Sequence, residues 1–336
     1  MIPVHLLTGF LGSGKTTLLG HLLRQQDFAR TAVIINEFGE IGLDHELVEK
    51  SDDSVVALST GCLCCKVRGD LVETLADLLC RRDAGAVPPF TRVVIETSGL
   101  ADPAPILQTL MTDATIGGRL VLDGVVTTVD AVNGAATLAR EAISVKQVAV
   151  ADRLVVTKSD LADAEQSALL GRLAALNAGA PLLQAQHGAI DPQLLFDAGP
   201  YDPCTKSLDV RAWLGEGAHD HQHERHDAEI QTYAIVRTAP IHAVTLTLLL
   251  ETLAEHCGAD LLRLKGIVNI AESPDRPAVI HGVQHVFHAP TFLPRWPSAD
   301  RRSRIVMITR GIPQAWIEAL IDALEAEVAE VSEERH

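Results

Sequence analysis

Hydrophobic positions along roughly the first 200 residues alternate between two spacings, one typical of buried strands and one typical of helices. Short runs rich in valine and isoleucine predict strands, and runs whose apolar residues recur every three or four positions predict helices. The predicted strands are Val4–Thr8, Thr31–Asn36, Val55–Leu58, Arg92–Glu96, Gly124–Val129 and Leu154–Thr157, and the helices are Thr17–Leu23, Asp70–Arg82, Pro103–Met111 and Asp163–Asn177. Strands that alternate with helices are joined by crossover connections, so we predict an α/β domain with a mostly parallel sheet.

The hydrophobic pattern loosens near residue 207, where a polar, histidine-rich stretch separates the first part of the chain from a second one. We expect a first domain over residues 1–207, an exposed linker over residues 208–228 and a second domain over residues 229–336. The order of elements in the second part predicts a small α+β unit with a mostly antiparallel sheet. These elements are the strand Ile230–Arg237, the helix Ala243–His256, the strands Leu262–Ile270, Val283–His288 and Arg304–Thr309, and the helix Pro313–Val331.

Composition and charge narrow the class of protein. The 336 residues suffice for about two domains, and a hydrophobic content of 47% indicates a globular chain. The net charge of −16 argues against a nucleic-acid or anionic-membrane partner, because little basic surface is left to contact phosphates. No apolar run approaches the ~20 residues of a membrane span, and we expect no signal peptide before the first predicted strand. The six cysteines do not resemble a disulfide framework, so we expect a cytoplasmic protein.

A glycine-rich loop lies between the first predicted strand and the first predicted helix. Residues Gly9–Thr16 match G-x-x-x-x-G-K-[ST], the phosphate-binding loop (P-loop) of nucleoside triphosphatases. Glycines let backbone N–H groups close around an anion at a helix N-terminus, where the helix dipole is positive. Lys15 can then reach the β- and γ-phosphates, and the Thr16 hydroxyl can ligate Mg²⁺. The predicted nucleotide-binding residues of this loop are Gly12, Ser13, Gly14, Lys15, Thr16 and Thr17.

Acidic residues follow two of the predicted strands. Glu96 ends one strand, where a carboxylate can hold Mg²⁺ or its water, and Gly99 follows where a glycine can sense the γ-phosphate. Glu37 and Glu40 follow the second strand, where P-loop GTPases keep a switch loop that the γ-phosphate and Mg²⁺ order. Either Glu40 or Glu96 could orient the attacking water, and with Lys15 these two form the predicted catalytic set.

The segment Thr157–Asp160 reads T-K-x-D at the end of another predicted strand, where GTPases commonly carry N-K-x-D. The Asp160 carboxylate can accept hydrogen bonds from guanine, and the aliphatic stem of Lys158 can cover the base. Adenine presents no matching pair of donors, so a carboxylate here selects guanine. Thr157 replaces the usual Asn. We therefore expect GTP rather than ATP, bound partly by Thr157, Lys158 and Asp160.

Three cysteines are crowded into the segment Gly61–Cys65, which reads G-C-L-C-C. Thiolates select soft or borderline ions such as Zn²⁺, Cu⁺ or Co²⁺ over Mg²⁺. In an extended segment Cys62 and Cys64 project to one side and Cys65 to the other, so two of the three should chelate one ion. Other groups must complete the ligand set, and Glu37 and Glu40 can supply oxygens. The spacing lacks the paired cysteines of a closed structural zinc site, which favours a site for metal transfer. The alternative is that the three cysteines bind no metal.

The predicted linker carries histidines at close spacing, and two interpretations remain open. Neutral imidazoles can hold borderline ions loosely, which would make the segment a low-affinity acquisition site. A polar linker that happens to be rich in histidine fits equally well. The histidines concerned are His219, His221, His223 and His226.

Together these motifs resemble those of the CobW-type metal-chaperone GTPases, which are relatives of the urease and hydrogenase nickel-insertion GTPases. The resemblance extends over nearly the whole chain and implies a P-loop GTPase domain followed by the C-terminal domain of that family. It also implies that the protein binds GTP and Mg²⁺, loads Zn²⁺ or Co²⁺ at the C-x-C-C motif and delivers the ion to a client metalloprotein. This chain departs from the family pattern at Thr157 and at Ile35, where some relatives carry a metal-binding Glu. The matching segments are Gly9–Thr17, Asn36–Asp44, Gly61–Cys65, Glu96–Pro103, Thr157–Asp160, Leu261–Val268, Trp296 and Arg302–Gly311.

The resulting hypothesis is a metal carrier controlled by GTP. The γ-phosphate would order residues 36–40 and bring a carboxylate toward Cys62 and Cys64, and hydrolysis would remove that ligand. Turnover is expected to be slow until a client docks. Three alternatives stay open: a zinc-storage or sensor protein without transfer, a small-molecule kinase that prefers ATP, and a nickel-insertion protein that differs only in ion and client.

Overall fold

The structure is a computed structural model that describes residues 1–36, 56–60, 67–161, 166–196 and 230–333. Within these ranges the chain forms two compact units. The first contains residues 1–174 and 180–196, and the second contains residues 175–179 and 230–333. None of the described helices is both long enough and apolar enough to cross a membrane.

The first unit is built on a sheet of seven strands. Every neighbouring pair in this sheet runs parallel, and the strand order is β3-β2-β4-β1-β5-β6-β7. The predicted α/β fold with a parallel sheet is therefore confirmed. The strands are β1 (Ile2–Gly9), β2 (Thr31–Asn36), β3 (Val56–Thr60), β4 (Arg92–Glu96), β5 (Leu120–Asp130), β6 (Arg153–Thr157) and β7 (Leu182–Ala185).

Helices connect β1 to β2 and each successive pair of strands from β3 to β7, as parallel pairing requires. Their apolar residues meet those of the sheet: Leu18 and Leu22 of the first helix pack with Leu7 in one buried cluster. The helices are α1 (Lys15–Leu22), α2 (Val67–Asp83), α3 (Ala104–Thr112), α4 (Ala114–Gly117), α5 (Gly134–Arg140), α6 (Ala142–Ala149), α7 (Gln166–Leu176) and α8 (Pro192–Phe196).

The strand order determines where a ligand can bind in the first unit. Strand β1 lies between β4 and β5: the chain builds β2, β3 and β4 on one side of β1 and then crosses to β5 on the other side. In open parallel sheets such a reversal opens a crevice at the carboxyl ends of the strands. The residues that end the strands at this edge are Gly9, Glu96, Asp130 and Thr157.

The second unit combines an antiparallel sheet with two helices, which confirms the predicted α+β arrangement. Its strand order is β11-β10-β9-β13-β8, with β12 paired to β10. Leu249 and Leu253 of the first helix and Ile321 of the second join a buried cluster with the sheet. The elements are β8 (Ile230–Arg237), α9 (Ala243–Cys257), β9 (Leu261–Val268), β10 (Ala278–Val283), β11 (Val286–Phe287), β12 (Thr291–Phe292), β13 (Ser303–Arg310) and α10 (Gln314–Glu333).

A carboxylate from α10 holds the start of α9. Oε1 of Glu325 accepts a hydrogen bond from the backbone N–H of His242 at 2.9 Å, and Oε2 lies 3.0 Å from Nδ1 of His242. Burial raises the pKa of Glu325, but the nearby Thr245 hydroxyl and the hydrogen bonds with His242 outweigh it and leave the pKa lowered. The carboxylate is therefore held in its charged form at the N-terminus of a helix, where negative charge is favoured.

The predicted single strand Val283–His288 is wrong. The chain instead turns between β10 and β11, and Val283 pairs with Val286 across the turn. Gln284 lies in the turn with a φ of 54°, a left-handed conformation that a strand does not contain. Apolar residues on both sides of a tight turn produced the misleading continuous pattern.

Candidate nucleotide-binding site

The P-loop lies at the carboxyl end of β1 and needs glycine at several positions. Gly9, Gly12 and Gly14 have φ angles of 140°, 74° and 88°, in the region that favours glycine. A Cβ at Gly9 would lie 2.3 Å from Oγ1 of Thr128, so a side chain there is excluded. Gly14 ends the loop at the N-cap of α1. The loop therefore closes tightly at the positive end of a helix, which suits a bound phosphate.

The ammonium group of Lys15 is held at this loop. Its Nζ donates to the carbonyl oxygens of Gly9 at 2.9 Å and Phe10 at 3.3 Å, and the residue is only 8% exposed. A buried cation in the first turn of a helix provides the positive charge that a polyphosphate requires.

Thr16 and Glu96 come together although they are 80 residues apart in sequence. The Thr16 hydroxyl donates to Oε1 of Glu96 at 2.8 Å, and Glu96 is 2% exposed at the end of β4. Parallel pairing of β1 and β4 sets this position by placing Leu7 beside Glu96. A hydroxyl and a carboxylate next to Lys15 are oxygen ligands of the type that Mg²⁺ prefers, so these residues fit Mg²⁺ bound with a nucleotide.

The loop after β4 packs directly against the P-loop through Gly99. A Cβ at Gly99 would lie 2.6 Å from the backbone nitrogen of Leu11 and 3.1 Å from Nζ of Lys15. Only a residue without a side chain allows this approach. The structure thus brings Gly99 to the same edge as Lys15.

The T-K-x-D segment is tied to the P-loop by two side chains. The Thr157 hydroxyl donates to the carbonyl oxygen of Ser13 at 2.7 Å, and Nζ of Lys158 donates to that of Gly12 at 2.8 Å. Thr157 can therefore make a contact to the P-loop with its hydroxyl in place of the Asn amide. Lys158 has a φ of 55°, an uncommon conformation for a residue with a side chain.

Asp130 is a residue of this edge that the sequence analysis missed. Its Oδ2 accepts from Nζ of Lys158 at 2.7 Å, and Oδ1 accepts from the backbone N–H of Val132 at 2.8 Å. Burial raises the pKa of Asp130, but the hydrogen bonds from Lys158, Asn133 and the backbone outweigh it, so the pKa is lowered. The position of Asp130, directly after the predicted strand Gly124–Val129, was the signal available in the sequence.

Asp160 lies near a tight turn that follows β7. Oδ2 of Asp160 is 3.7 Å from Nε2 of His187, and His187 and Gly188 have φ angles of 52° and 80°. A Cβ at Gly188 would lie 2.9 Å from the carbonyl oxygen of Thr17, so the turn also approaches α1. Asp160 and this turn lie on the side of β1 that carries β6 and β7, and Glu96, which ends β4, lies on the other side.

Comparison with known proteins identifies the family. The family "CobW/HypB/UreG, nucleotide-binding domain" matches residues 3–184, and the family "Cobalamin synthesis protein cobW C-terminal domain" matches residues 230–325. The chain belongs to the CobW family. Its first unit thus contains the nucleotide-binding domain of that family.

Relatives of this family match along nearly the whole chain. Over 323 residues the chain is 36% identical to the zinc chaperone YjiA of Escherichia coli (strain K12), a match that covers 96% of this chain and 98% of that protein. It is 32% identical over 354 residues to the zinc chaperone CobW of Pseudomonas aeruginosa, covering 94% of this chain and 89% of that protein. The crystal structure of Zn(II)-bound YjiA GTPase from E. coli superposes with a TM-score of 0.74 at 31% identity, covering 96% and 98% of the two chains.

The predicted transition-metal ligands of this CobW family member lie outside the described residues. They are Glu37, Glu40, Cys62, Cys64 and Cys65, and the histidine-rich segment 208–228 lies outside as well. Within the part of the chain that the structure describes, no three or more His, Cys, Asp or Glu side chains are grouped so that they could hold a metal ion.

Proposed function

We propose that this chain hydrolyses GTP and carries a zinc ion whose retention depends on the bound nucleotide. GTP hydrolysis is supported above all by one observation. Lys15, Thr16 and Glu96 lie together at the carboxyl edge of the sheet, and the Thr16 hydroxyl is 2.8 Å from the Glu96 carboxylate. Membership of the CobW family and relatives named zinc chaperones support the metal part.

The P-loop residues bind the phosphates. The backbone amides of Gly12, Ser13, Gly14, Thr16 and Thr17 surround them, and the Lys15 ammonium contacts the β- and γ-phosphate oxygens. Bound Mg²⁺ would neutralise charge on the same oxygens, held by the Thr16 hydroxyl with Glu96 at or beside the ion. Gly99 senses the γ-phosphate, and Glu96 or Glu40 orients the attacking water.

The T-K-x-D segment selects guanine. The Asp160 carboxylate accepts hydrogen bonds from the base, and the stem of Lys158 covers one face of it. Thr157 holds this segment against the P-loop through the carbonyl oxygen of Ser13. The base and the phosphates are thereby bound by segments that contact each other.

The zinc ion is the cargo. We assign its binding to Cys62 and Cys64, with Cys65 and the carboxylates of Glu37 and Glu40 as the further candidate ligands, and Co²⁺ as an alternative ion. In the GTP state residues 36–40 supply one of these carboxylates. Hydrolysis withdraws it, and the ion passes to a client metalloprotein. Because linkage is reciprocal, zinc must tighten GTP binding by the factor by which GTP tightens zinc binding, typically ~5–150-fold.

An anaerobic competition titration tests this proposal. Zinc and cobalt are titrated against a chromophoric chelator with Mg²⁺ and either a non-hydrolysable GTP analogue or GDP present. We expect tighter zinc binding with the analogue, and loss of tight binding in Cys64→Ala without a change in nucleotide affinity. Cys80→Ala is the matched control, because Cys80 is an exposed cysteine on α2 outside the motif. Equal zinc affinity with both nucleotides would indicate storage or sensing, and would contradict transfer.

A further inference from the structure

A buried glutamine on α6 holds the loop that contains Gly99. Gln147 is 0% exposed, and its Nε2 donates to the carbonyl oxygens of Gly99 and Ala101, both at 3.2 Å. Because both acceptors are carbonyl oxygens, only the NH₂ side of the amide can face them, which fixes its orientation. One side chain thus restrains two positions of the loop.

Two further contacts attach α6 to its surroundings. The Thr127 hydroxyl, buried in β5, donates to the carbonyl oxygen of Gln147 at 2.8 Å. The neighbouring Lys146 forms an ion pair with Asp102, with Nζ 2.7 Å from Oδ2. Helix α6 is therefore bonded to the sheet on one side, and on the other its side chains contact the loop at residues 99, 101 and 102.

The loop that Gln147 holds is also the one that packs against the P-loop. A Cβ at Gly99 would lie 2.6 Å from the Leu11 nitrogen and 3.1 Å from Nζ of Lys15, so a small outward shift of the loop would open this approach. Gln147 also lines a cavity of about 220 Å³ beside the P-loop. Because the side chain is fully buried, its hydrogen bonds are shielded from solvent and hold the loop more firmly than they would at the surface.

We propose that Gln147 is a positioning residue that holds Gly99 where it meets the γ-phosphate, so that it contributes to binding GTP but not GDP. This inference rests on the proposed function, in which Gly99 senses that phosphate. A residue that merely stabilised the unit would weaken both nucleotides equally. The ratio of the two affinities therefore separates positioning from a structural role.

The test is Gln147→Met, which keeps the approximate volume and removes both donated hydrogen bonds. Dissociation constants for a non-hydrolysable GTP analogue and for GDP are measured by calorimetry with Mg²⁺, and hydrolysis is followed in a single turnover. We expect about tenfold weaker analogue binding, GDP binding within about twofold of wild type, and slower single-turnover hydrolysis. The full-length protein is used throughout, and its thermal melt reports whether the variant is folded.

Gln25→Met is the matched control, because Nε2 of Gln25 also donates to a backbone carbonyl, that of Ile190, at 3.1 Å in the same unit. Its analogue-to-GDP ratio should equal that of wild type. Lys146→Met removes the more exposed Lys146–Asp102 contact. It should shift the analogue-to-GDP affinity ratio in the same direction as Gln147→Met, but by less. If Gln147→Met does not fold, the ratio measured for Lys146→Met tests the inference instead. An unchanged ratio in the folded variant, or equal weakening of both nucleotides, overturns the inference. Wild-type protein that fails to hydrolyse GTP would instead contradict the proposed function.

Discussion

The ion pair between Asp130 and Lys158 holds the T-K-x-D segment beside the P-loop, and its removal provides a testable prediction. Asp130→Asn removes the charge that holds the Lys158 ammonium while leaving an amide oxygen that can accept from Val132. A hydrogen bond between charged groups contributes ~1.5–3 kcal/mol. The Lys158 side chain is 37% exposed and that of Asp130 is 10% exposed, so solvent screening reduces the expected loss to about 1 kcal/mol. This corresponds to about fivefold weaker nucleotide binding.

The loss should be the same for GTP and GDP, because Lys158 contacts Gly12 and, in the proposed function, the base rather than the γ-phosphate. Fluorescence titration with labelled GDP and with a labelled non-hydrolysable GTP analogue measures both constants. Asp152→Asn is the control: Oδ2 of Asp152 accepts from the backbone N–H of Val125 at 2.9 Å at the opposite end of β6, so this variant should bind both nucleotides normally. Unchanged binding in Asp130→Asn, or a loss confined to GTP, would show that this ion pair does not support nucleotide binding through Lys158.

Three further variants test other parts of the account. Asp160→Asn should reduce the preference for GTP over ATP by about tenfold or more, because an amide cannot accept both guanine donors, and competition titration with the two nucleotides measures it. Gly99→Ala should slow GTP hydrolysis strongly without unfolding the protein, because its Cβ would lie 2.6 Å from the Leu11 nitrogen; turnover with a thermal melt checks this. Glu325→Gln should lower the free energy of unfolding by about 1 kcal/mol at neutral pH. The pKa of Glu325 is lower in the folded state than in the unfolded state. The stabilisation by its carboxylate is therefore present above the unfolded-state pKa and is lost as the pH falls through the folded-state pKa. The free energies of urea unfolding of the variant and the wild type should accordingly become equal in acid.

Local patterns predicted much of the fold. Strands β1, β2, β4 and β6 and the P-loop each depend on consecutive residues, so spacing alone located them. Strand β7 has four residues, of which only Ala185 is buried, and no apolar run indicates it. The turn at Gln284 was missed because nothing in the local sequence signals its left-handed conformation. The domain boundaries and the role of the histidine-rich segment stay predictions.

The parts of the site that could not be predicted from the sequence depend on contacts between segments that are distant along the chain. The Thr16–Glu96 contact follows once two strand ends are placed side by side, and the sequence named both residues. Gln147 was missed because the carbonyl oxygens that it contacts lie 46–48 residues away and no motif joins them, and the contact of Asp130 with Lys158 spans 28 residues. The position of α6 beside the sheet, where the Thr127 hydroxyl of β5 donates to the carbonyl oxygen of Gln147, brings the Gln147 side chain to the loop.

The central claim is that the terminal phosphate decides whether zinc stays bound. A single-turnover experiment tests it directly: protein loaded with one zinc and GTP is mixed with Mg²⁺, and a zinc-sensitive dye and a phosphate sensor are read together. We predict that zinc reaches the dye at the rate of phosphate release, and that a non-hydrolysable analogue prevents both. Zinc that reaches the dye equally fast with the analogue, or stays bound after phosphate is released, would contradict the account.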